Sequence, residues 1–195
     1  VCALPTVPAY HKDEAALDCL ANILGGDNNS ILYQKLVKTQ KALKVQTYNQ
    51  TDELAGVFQI QVTTKSGTAL SDMLTEVRSA LKEFETKGVS DDDIEKFIAS
   101  YEARTVYGME SVSRKAAQLA AYQTYTGNPN YVKTEMSRYT NLNKADVLRV
   151  YNEYIKNKPM VILSVLTKGN ELLKAGEDNY TVEEKNYIAP NYGYD

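Results

Sequence analysis

Histidine is nearly absent from this sequence of 195 residues, which contains only His11. A catalytic zinc ion needs three protein ligands and a water, and a common ligand set is two histidines and a glutamate. The two cysteines, Cys2 and Cys19, lie far apart and do not complete such a set. His11 and Glu14 begin the inverted zincin motif H-x-x-E-H, but Ala15 stands where its second histidine would be. We therefore predict no metal ligand in this chain and interpret His11 as a turn residue ahead of a helix.

Motifs of other common enzyme classes are missing as well. The sequence contains no G-x-S-x-G elbow, no phosphate-binding P-loop and no dinucleotide-binding G-x-G-x-x-G. A nucleophilic triad built on His11 would need a serine that the fold places beside it, and the sequence singles out none. The acidic runs 52–53 and 91–93 are typical of solvated turns and helix starts. We predict no catalytic residue here, and we expect the chain alone to be inactive.

The sequence also lacks an excess of positive charge and any long apolar run. Its formal net charge is −3, and no stretch rich in Lys and Arg carries interleaved aromatics, which argues against nucleic-acid binding. No apolar stretch approaches the roughly 18 residues that a membrane-spanning helix needs. We recognise no signal peptide in the sequence as it stands, because its first apolar run, 1–4, already resembles a strand. We interpret the chain as a piece of a longer polypeptide and its cysteines as buried free thiols.

The hydrophobic periodicity changes along the chain from strand to helix and back. A strand is predicted over 1–7, an antiparallel pair over 43–47 and 58–62, and helices over 13–24, 70–84, 94–101, 115–126 and 147–154. Ser30 is predicted to cap a short helix, and Ser90 to cap the helix whose first turn holds three aspartates. Residues 160–166, apolar on both faces, are predicted to form a strand in the middle of a sheet. This order predicts an α+β fold: a two-layer domain with a mixed or antiparallel sheet and helices packed on one face.

Six segments stand out when they are taken in order: the runs from Pro5 to Asp18, Ile23 to Gly26, Ser30 to Val37, Glu53 to Gly56, Gly88 to Ser90 and Glu110 to Leu119. Together they resemble the second, non-catalytic domain of the insulinase family of zinc metallopeptidases, which includes pitrilysin and the mitochondrial processing peptidase. Their order and spacing carry the resemblance, which covers roughly residues 1 to 168. It implies a single non-catalytic domain of the mitochondrial-processing-peptidase type over 1–169 and a polar tail or linker to further domains over 170–195.

The resemblance also implies a division of labour. An upstream domain of the same polypeptide, with the H-x-x-E-H motif, would hold zinc and hydrolyse a peptide that this domain helps to enclose. In the family the second domain often places an Arg and a Tyr in the active site. The matching positions here are Val37 and Lys44, so the pair is not retained and no direct catalytic help is expected. The alternative is a protein-binding or scaffold module of the same family with no active partner. Resemblance to bacterial members favours a periplasmic location.

Overall fold

The structure, a computed structural model, describes residues 1–180 as four strands and six α-helices. The strands are β1 (Cys2–Thr6), β2 (Lys44–Thr51), β3 (Gly56–Thr63) and β4 (Val161–Ile162). The helices are α1 (Glu14–Gly25), α2 (Leu70–Lys87), α3 (Asp91–Met109), α4 (Val112–Thr126), α5 (Val132–Thr140) and α6 (Lys144–Val150). Two π-helical segments, Tyr33–Val37 and Tyr151–Ile155, and a 3-10 turn, Glu171–Leu173, complete the described elements.

The strands form one antiparallel sheet in the order β2-β3-β1-β4. β2 and β3 pair along all eight residues of each strand, which confirms the predicted strand pair. Phe58 and Ile60 of β3 are buried, and Leu4 of β1, which lies opposite Phe58, is buried with them. One face of the sheet therefore supplies a continuous apolar layer for the core.

The helices cover this apolar face, which confirms the predicted α+β fold. α1 lies against β2 and β3 and buries Leu17, Leu20 and Leu24 completely. The approach of α1 to β2 requires a glycine at Gly25, because a Cβ atom there would collide with the side chain of Thr47. The packing of α1 on the sheet fixes the position of its first turns, where the functional residues described below are found.

Of the two predicted serine caps, one is confirmed. The Ser90 hydroxyl accepts a hydrogen bond from the backbone N–H of Asp93, and the Asp93 carboxylate accepts one from the Ser90 N–H. The hydroxyl of Ser30 instead donates to the carbonyl of Asp27 at 2.6 Å. The prediction of a Ser30 cap is wrong, because this hydroxyl accepts no hydrogen bond from the backbone N–H groups of residues 31–37.

The predicted mid-sheet strand over 160–166 is wrong in both position and length. β4 has only two residues and lies at the edge of the sheet. The backbone groups of Leu163 and Val1 exchange hydrogen bonds, which continues the pairing of β4 with β1 by one residue. Val161, Leu163 and Val165 are 57% to 76% exposed. Apolar content alone did not distinguish a central strand from an edge strand.

Two further differences concern the extent of buried surfaces. α5 was not predicted, because its buried residues are Glu135 and Tyr139 and show no apolar stripe in the sequence. Leu43 begins the predicted strand over 43–47, where it alternates in step with Val45 and Thr47, but it lies just before the outer strand β2 and is 56% exposed. Alternation predicts which face a residue shares, but not how far the covering layer reaches.

The predicted division of the chain at residue 169 stays a prediction, and residues 181–195 of the predicted tail lie outside the described residues. Cys2 and Cys19 are buried free thiols, as predicted. Across residues 1–180, no helix combines the length and apolar character needed to cross a membrane.

Candidate functional site

The single histidine does not lie in a metal site. His11 is in the turn between β1 and α1, where its Nδ1 accepts a hydrogen bond from the backbone N–H of Asp13 at 3.2 Å. The carboxylate of Glu14, the second residue of the H-x-x-E fragment, is bound instead by the Arg138 guanidinium. Within residues 1–180, no three His, Cys, Asp or Glu side chains come together as metal ligands.

The two positions that match the family's Arg and Tyr lie at different depths in the fold. Val37 ends the first π-helical segment with its side chain partly buried against the core. Lys44 begins β2 with its side chain exposed, opposite Thr63 of β3. Val37 has no polar side-chain atom, and Lys44 offers a flexible ammonium in place of a phenol. That this pair takes no part in the chemical step stays a prediction.

A buried ionic cluster joins the start of α1 to α5. Arg138 donates to Glu14 Oε2 at 2.8 Å and to Glu135 Oε2 at 2.5 Å. It also donates to the carbonyl of His11 at 2.5 Å, and the Thr51 hydroxyl donates to Glu14 at 2.6 Å. Burial opposes the charge of Arg138, but the hydrogen bond with Glu14 and the charges of both carboxylates raise its pKa above the ordinary value. Arg138 therefore stays charged and clamps the turn before α1 onto α5.

A second ionic cluster joins the same turn to α6 and the residues after it. Asp13, which is 1% exposed, accepts hydrogen bonds from Arg149 Nη2 at 2.6 Å and from the Tyr154 hydroxyl at 2.8 Å. Burial favours the neutral acid, but the hydrogen bonds from Arg149 and Tyr154 lower the pKa of Asp13 below its usual value. An ionised Asp13 thus holds α6 beside α1.

Asp18 lies one turn further along α1 and forms no ion pair with any of the described residues. Its Oδ2 accepts a hydrogen bond from the Tyr139 hydroxyl at 2.7 Å, and its Oδ1 accepts one from Asn49 Nδ2 at 3.2 Å. Although Asp18 lies deep in the fold, part of its side chain opens onto a cavity. Burial raises the pKa of Asp18 to about 7, against the opposing effect of the two hydrogen bonds. This carboxyl therefore changes charge near neutral pH.

The cavity lies between α3 and α4 and has a volume of about 690 Å³. Residues of α3 and α4 make up most of its lining, together with Asp18 of α1 and Glu135 of α5. Four tyrosines line it: Tyr10, Tyr101, Tyr122 and Tyr139. Its wall also carries three basic residues: Arg104, Arg114 and Lys115. We call this space the tyrosine cavity.

Tyr10, at one side of the tyrosine cavity, has an unusual backbone. Its φ angle of 62° lies in the left-handed region that residues other than glycine rarely adopt. Its ring lies 5.7 to 5.8 Å, between ring centroids, from those of Tyr122, Tyr125 and Tyr131. Its backbone N–H donates to Glu14 at 2.7 Å. The ionic cluster and an aromatic cluster together hold this residue in its strained conformation.

Comparison with known families decides the affiliation. The family model described as the peptidase M16 inactive domain matches residues 1–101. The chain belongs to this family. The match confirms the resemblance to the second, non-catalytic domain of the zinc metallopeptidases, and the fold agrees with it.

Several proteins that are similar to this M16 inactive domain come from bacteria. Zinc protease PqqE from Helicobacter pylori is 27% identical over 154 residues, which are 77% of this chain and 34% of that protein. A solved inactive peptidase domain from Bordetella parapertussis superposes with a TM-score of 0.72 at 19% identity, covering 82% of this chain and 86% of that one. The periplasmic protease PqqL from Escherichia coli gives a TM-score of 0.64 at 12% identity, covering 79% of this chain and 17% of that one. The chain thus spans about a third of its curated relative, and the two solved structures show the shared fold.

Sequence reasoning missed the residues that organise this M16 inactive domain around α1. Glu14 and Arg138 are 124 positions apart, and no local pattern predicts such a pair. The one local signal was the spacing of Glu135 and Arg138, which are three apart on one helix. The cavity tyrosines could not be identified from the sequence either, because an aromatic side chain in a cavity wall has the same sequence spacing as one in a core.

Proposed function

We propose that this M16 inactive domain is the substrate-enclosing half of a zinc-dependent metalloendopeptidase. Under this proposal a domain with the H-x-x-E-H motif, outside this chain, hydrolyses the peptide. The observation that carries the proposal is the family match over residues 1–101. It is supported by the curated relative, which is named a zinc protease and of which this chain spans about a third.

Zinc belongs to the partner domain in this proposal, because the residues of this chain do not fit it. The chain has a single histidine, and two carboxylates near it, Asp13 and Glu14, are already held by arginines. A zinc ion in the partner would polarise the peptide carbonyl and activate a water. This domain would bind and orient the peptide and exclude bulk water from the site.

The construction of the domain supports the role of a rigid wall. Arg138 and Arg149 tie the turn before α1 to two helices, and α1 shares its core with the sheet. Such a wall limits the motion of the bound peptide, and the domain itself loses little conformational freedom on binding. Positioning and exclusion of water can contribute several kcal/mol to lowering a reaction barrier.

Cleavage of one unstructured peptide by three samples tests the enclosure. The samples are the full-length protein, its upstream half alone, and the two halves mixed. We expect the upstream half to lose at least about a hundredfold in turnover while metal analysis shows unchanged zinc. Mixing should restore activity when the halves dock, and a full-length variant with glutamine in place of the motif's glutamate supplies the baseline. Cleavage by the upstream half at the full-length rate would contradict the enclosure.

A scaffold or protein-binding role is the second candidate, and one observation favours it. The positions of the family's Arg and Tyr hold Val37 and Lys44 in this chain. The full-length sequence distinguishes the two candidates: an H-x-x-E-H motif upstream supports the peptidase, and its absence supports the scaffold.

We also propose a periplasmic location, supported by the fold shared with periplasmic PqqL. Cell fractionation with marker proteins for both compartments tests this location, and recovery with the cytoplasmic marker would contradict it.

A further inference from the structure

We propose that the tyrosine cavity binds an aromatic side chain of an acidic peptide segment. The inference rests on the proposed function in one respect, that peptides reach this face of the domain; the binding itself needs neither zinc nor the partner domain. The volume of about 690 Å³ lies in the range of ligand sites in proteins. It accommodates an aromatic side chain together with part of the flanking peptide.

The walls of the cavity suit an aromatic ring. Tyr101 and Tyr139 stack with ring centroids 3.6 Å apart and planes at 7°. Tyr10 and Tyr122 meet edge to face, with centroids 5.8 Å apart and planes at 66°. Tyr122 and Tyr139 are 3% and 5% exposed, so their rings are held by surrounding atoms. Tyr10 and Tyr101 pack against these buried rings and are themselves partly exposed, so they keep ring surface free for offset-stacked or edge-to-face contact with a further ring.

The charges around the cavity favour an acidic segment. Arg104, Arg114 and Lys115 are exposed, and within residues 1–180 none of them forms an ion pair. Of the two carboxyls in the lining, Glu135 is already paired with an arginine, and even an ionised Asp18 leaves the three cations in excess. The lining therefore attracts carboxylates and repels cations, although the whole chain has a net charge of −3.

The strained backbone of Tyr10, at the side of the cavity, also supports a binding site. A tyrosine in the left-handed region, as Tyr10 is with φ of 62°, persists only where its surroundings hold it, and such strain is concentrated at binding and catalytic sites. The hydrogen bond from its N–H to Glu14 holds the backbone, and that backbone places the ring in the lining of the cavity.

The chain itself provides a clean assay, because it contains no tryptophan. The probe is a peptide with one tryptophan between glutamates, titrated with the 195-residue chain. We expect the indole emission to shift to shorter wavelength as the ring leaves water, with affinity that falls as salt is added. A peptide with glutamines in place of the glutamates should bind at least about threefold more weakly, and one with lysines more weakly still.

Filling the cavity separates it from other surfaces. Ala117→Phe on α4 places a ring inside the lining and should abolish the emission shift. Ala120→Phe, on the same helix and exposed outside the lining, is the matched control and should bind as the unmodified chain does. Far-UV circular dichroism of both variants checks that each is folded.

Removing charge tests the acidic preference. The double substitution Arg114→Gln and Lys115→Gln should weaken binding about threefold to tenfold. The control is Lys38→Gln with Lys65→Gln, which removes the same charge from exposed positions outside the cavity and should leave affinity unchanged.

Equal binding of the glutamate peptide by Ala117→Phe and Ala120→Phe would overturn the proposal. A lysine peptide that binds as well as the glutamate peptide would also overturn it. Failure of the glutamate peptide to bind the chain would overturn it too. These outcomes are distinct from the test of enclosure. If the acidic peptide binds but removal of the domain leaves cleavage unchanged, the cavity proposal is supported and the enclosure is refuted. If the peptide does not bind but removal of the domain abolishes cleavage, only the cavity proposal is refuted.

Discussion

Replacing Asp18 with asparagine should make the chain more stable at alkaline pH. Asp18 lies deep beside α5 and β2, where the Tyr139 hydroxyl and Asn49 amide donate to its oxygens. The negative charge of Glu14 opposes its ionisation, and the positive charge of Arg138 favours it. Asparagine keeps the shape of the neutral acid and one carbonyl acceptor, and it carries no charge at any pH.

The magnitude follows from the pKa of Asp18, which burial raises from 3.8 to about 7. Because the folded state binds this proton more tightly than the unfolded state, the stabilisation is complete below about pH 4 and is lost as pH rises through about 7. At about 1.4 kcal/mol per pH unit, this rise of about three pH units corresponds to a loss on the order of 4 kcal/mol. We expect Asp18→Asn to match the unmodified chain near pH 4 and to exceed its free energy of unfolding by that amount at pH 8.

Urea unfolding followed by far-UV circular dichroism, from about pH 4.5 to about pH 8, measures this difference. Glu102→Gln removes one negative charge from the exposed surface of α3 and controls for the change in net charge. A difference between Asp18→Asn and the unmodified chain that stays constant across this pH range would refute the assignment of the buried, neutral acid to Asp18.

Three other predictions concern the ionic cluster, the two family positions and metal. Arg138→Met should lower the free energy of unfolding in urea by about 3 to 5 kcal/mol, because it leaves Glu14 and Glu135 without their cation; a loss below about 1 kcal/mol would contradict the clamp. Lys44→Ala in the full-length protein should change turnover by less than about tenfold, since its ammonium is exposed at the start of β2; a larger loss would revive a catalytic role. The isolated chain should retain no stoichiometric zinc after dialysis and hydrolyse no peptide, as judged by metal analysis and a peptidase assay; stoichiometric zinc lost on His11→Ala would show otherwise.

The parts of the fold that could be predicted are those set by local rules. The capping box of Ser90 and Asp93 is written in four consecutive residues, and the β2–β3 pair shows period-two alternation on both strands. The position of β4 was not predictable in this way, because it depends on the register with Val1 at the far end of the chain. α5 escaped prediction because its buried face is polar.

The candidate site was less accessible than the fold. The prediction that this chain lacks a set of zinc ligands needed only a count of histidines, since the sequence contains one. The partners of Asp13 and Glu14 could not, because Arg149 and Arg138 reach them only through the packing of α5 and α6. The tyrosine cavity depends on how α3 and α4 are placed relative to each other, which side-chain periodicity does not predict.

The long-range bonds of α1 have a consequence for the order in which the chain folds. Asp18, Glu14 and Asp13 receive their bonds from residues 121, 124 and 136 positions later, respectively. During synthesis α1 and β1 leave the ribosome well before α5 and α6. Until the later helices are made, these carboxylates have no such partners, although they lie next to the apolar residues of α1. Burying them unpaired is costly, and α1 cannot dock fully on the sheet until the later helices arrive. The nascent domain therefore completes its core late, and a ribosome-bound chain arrested before α5 should remain open to proteases and chaperones.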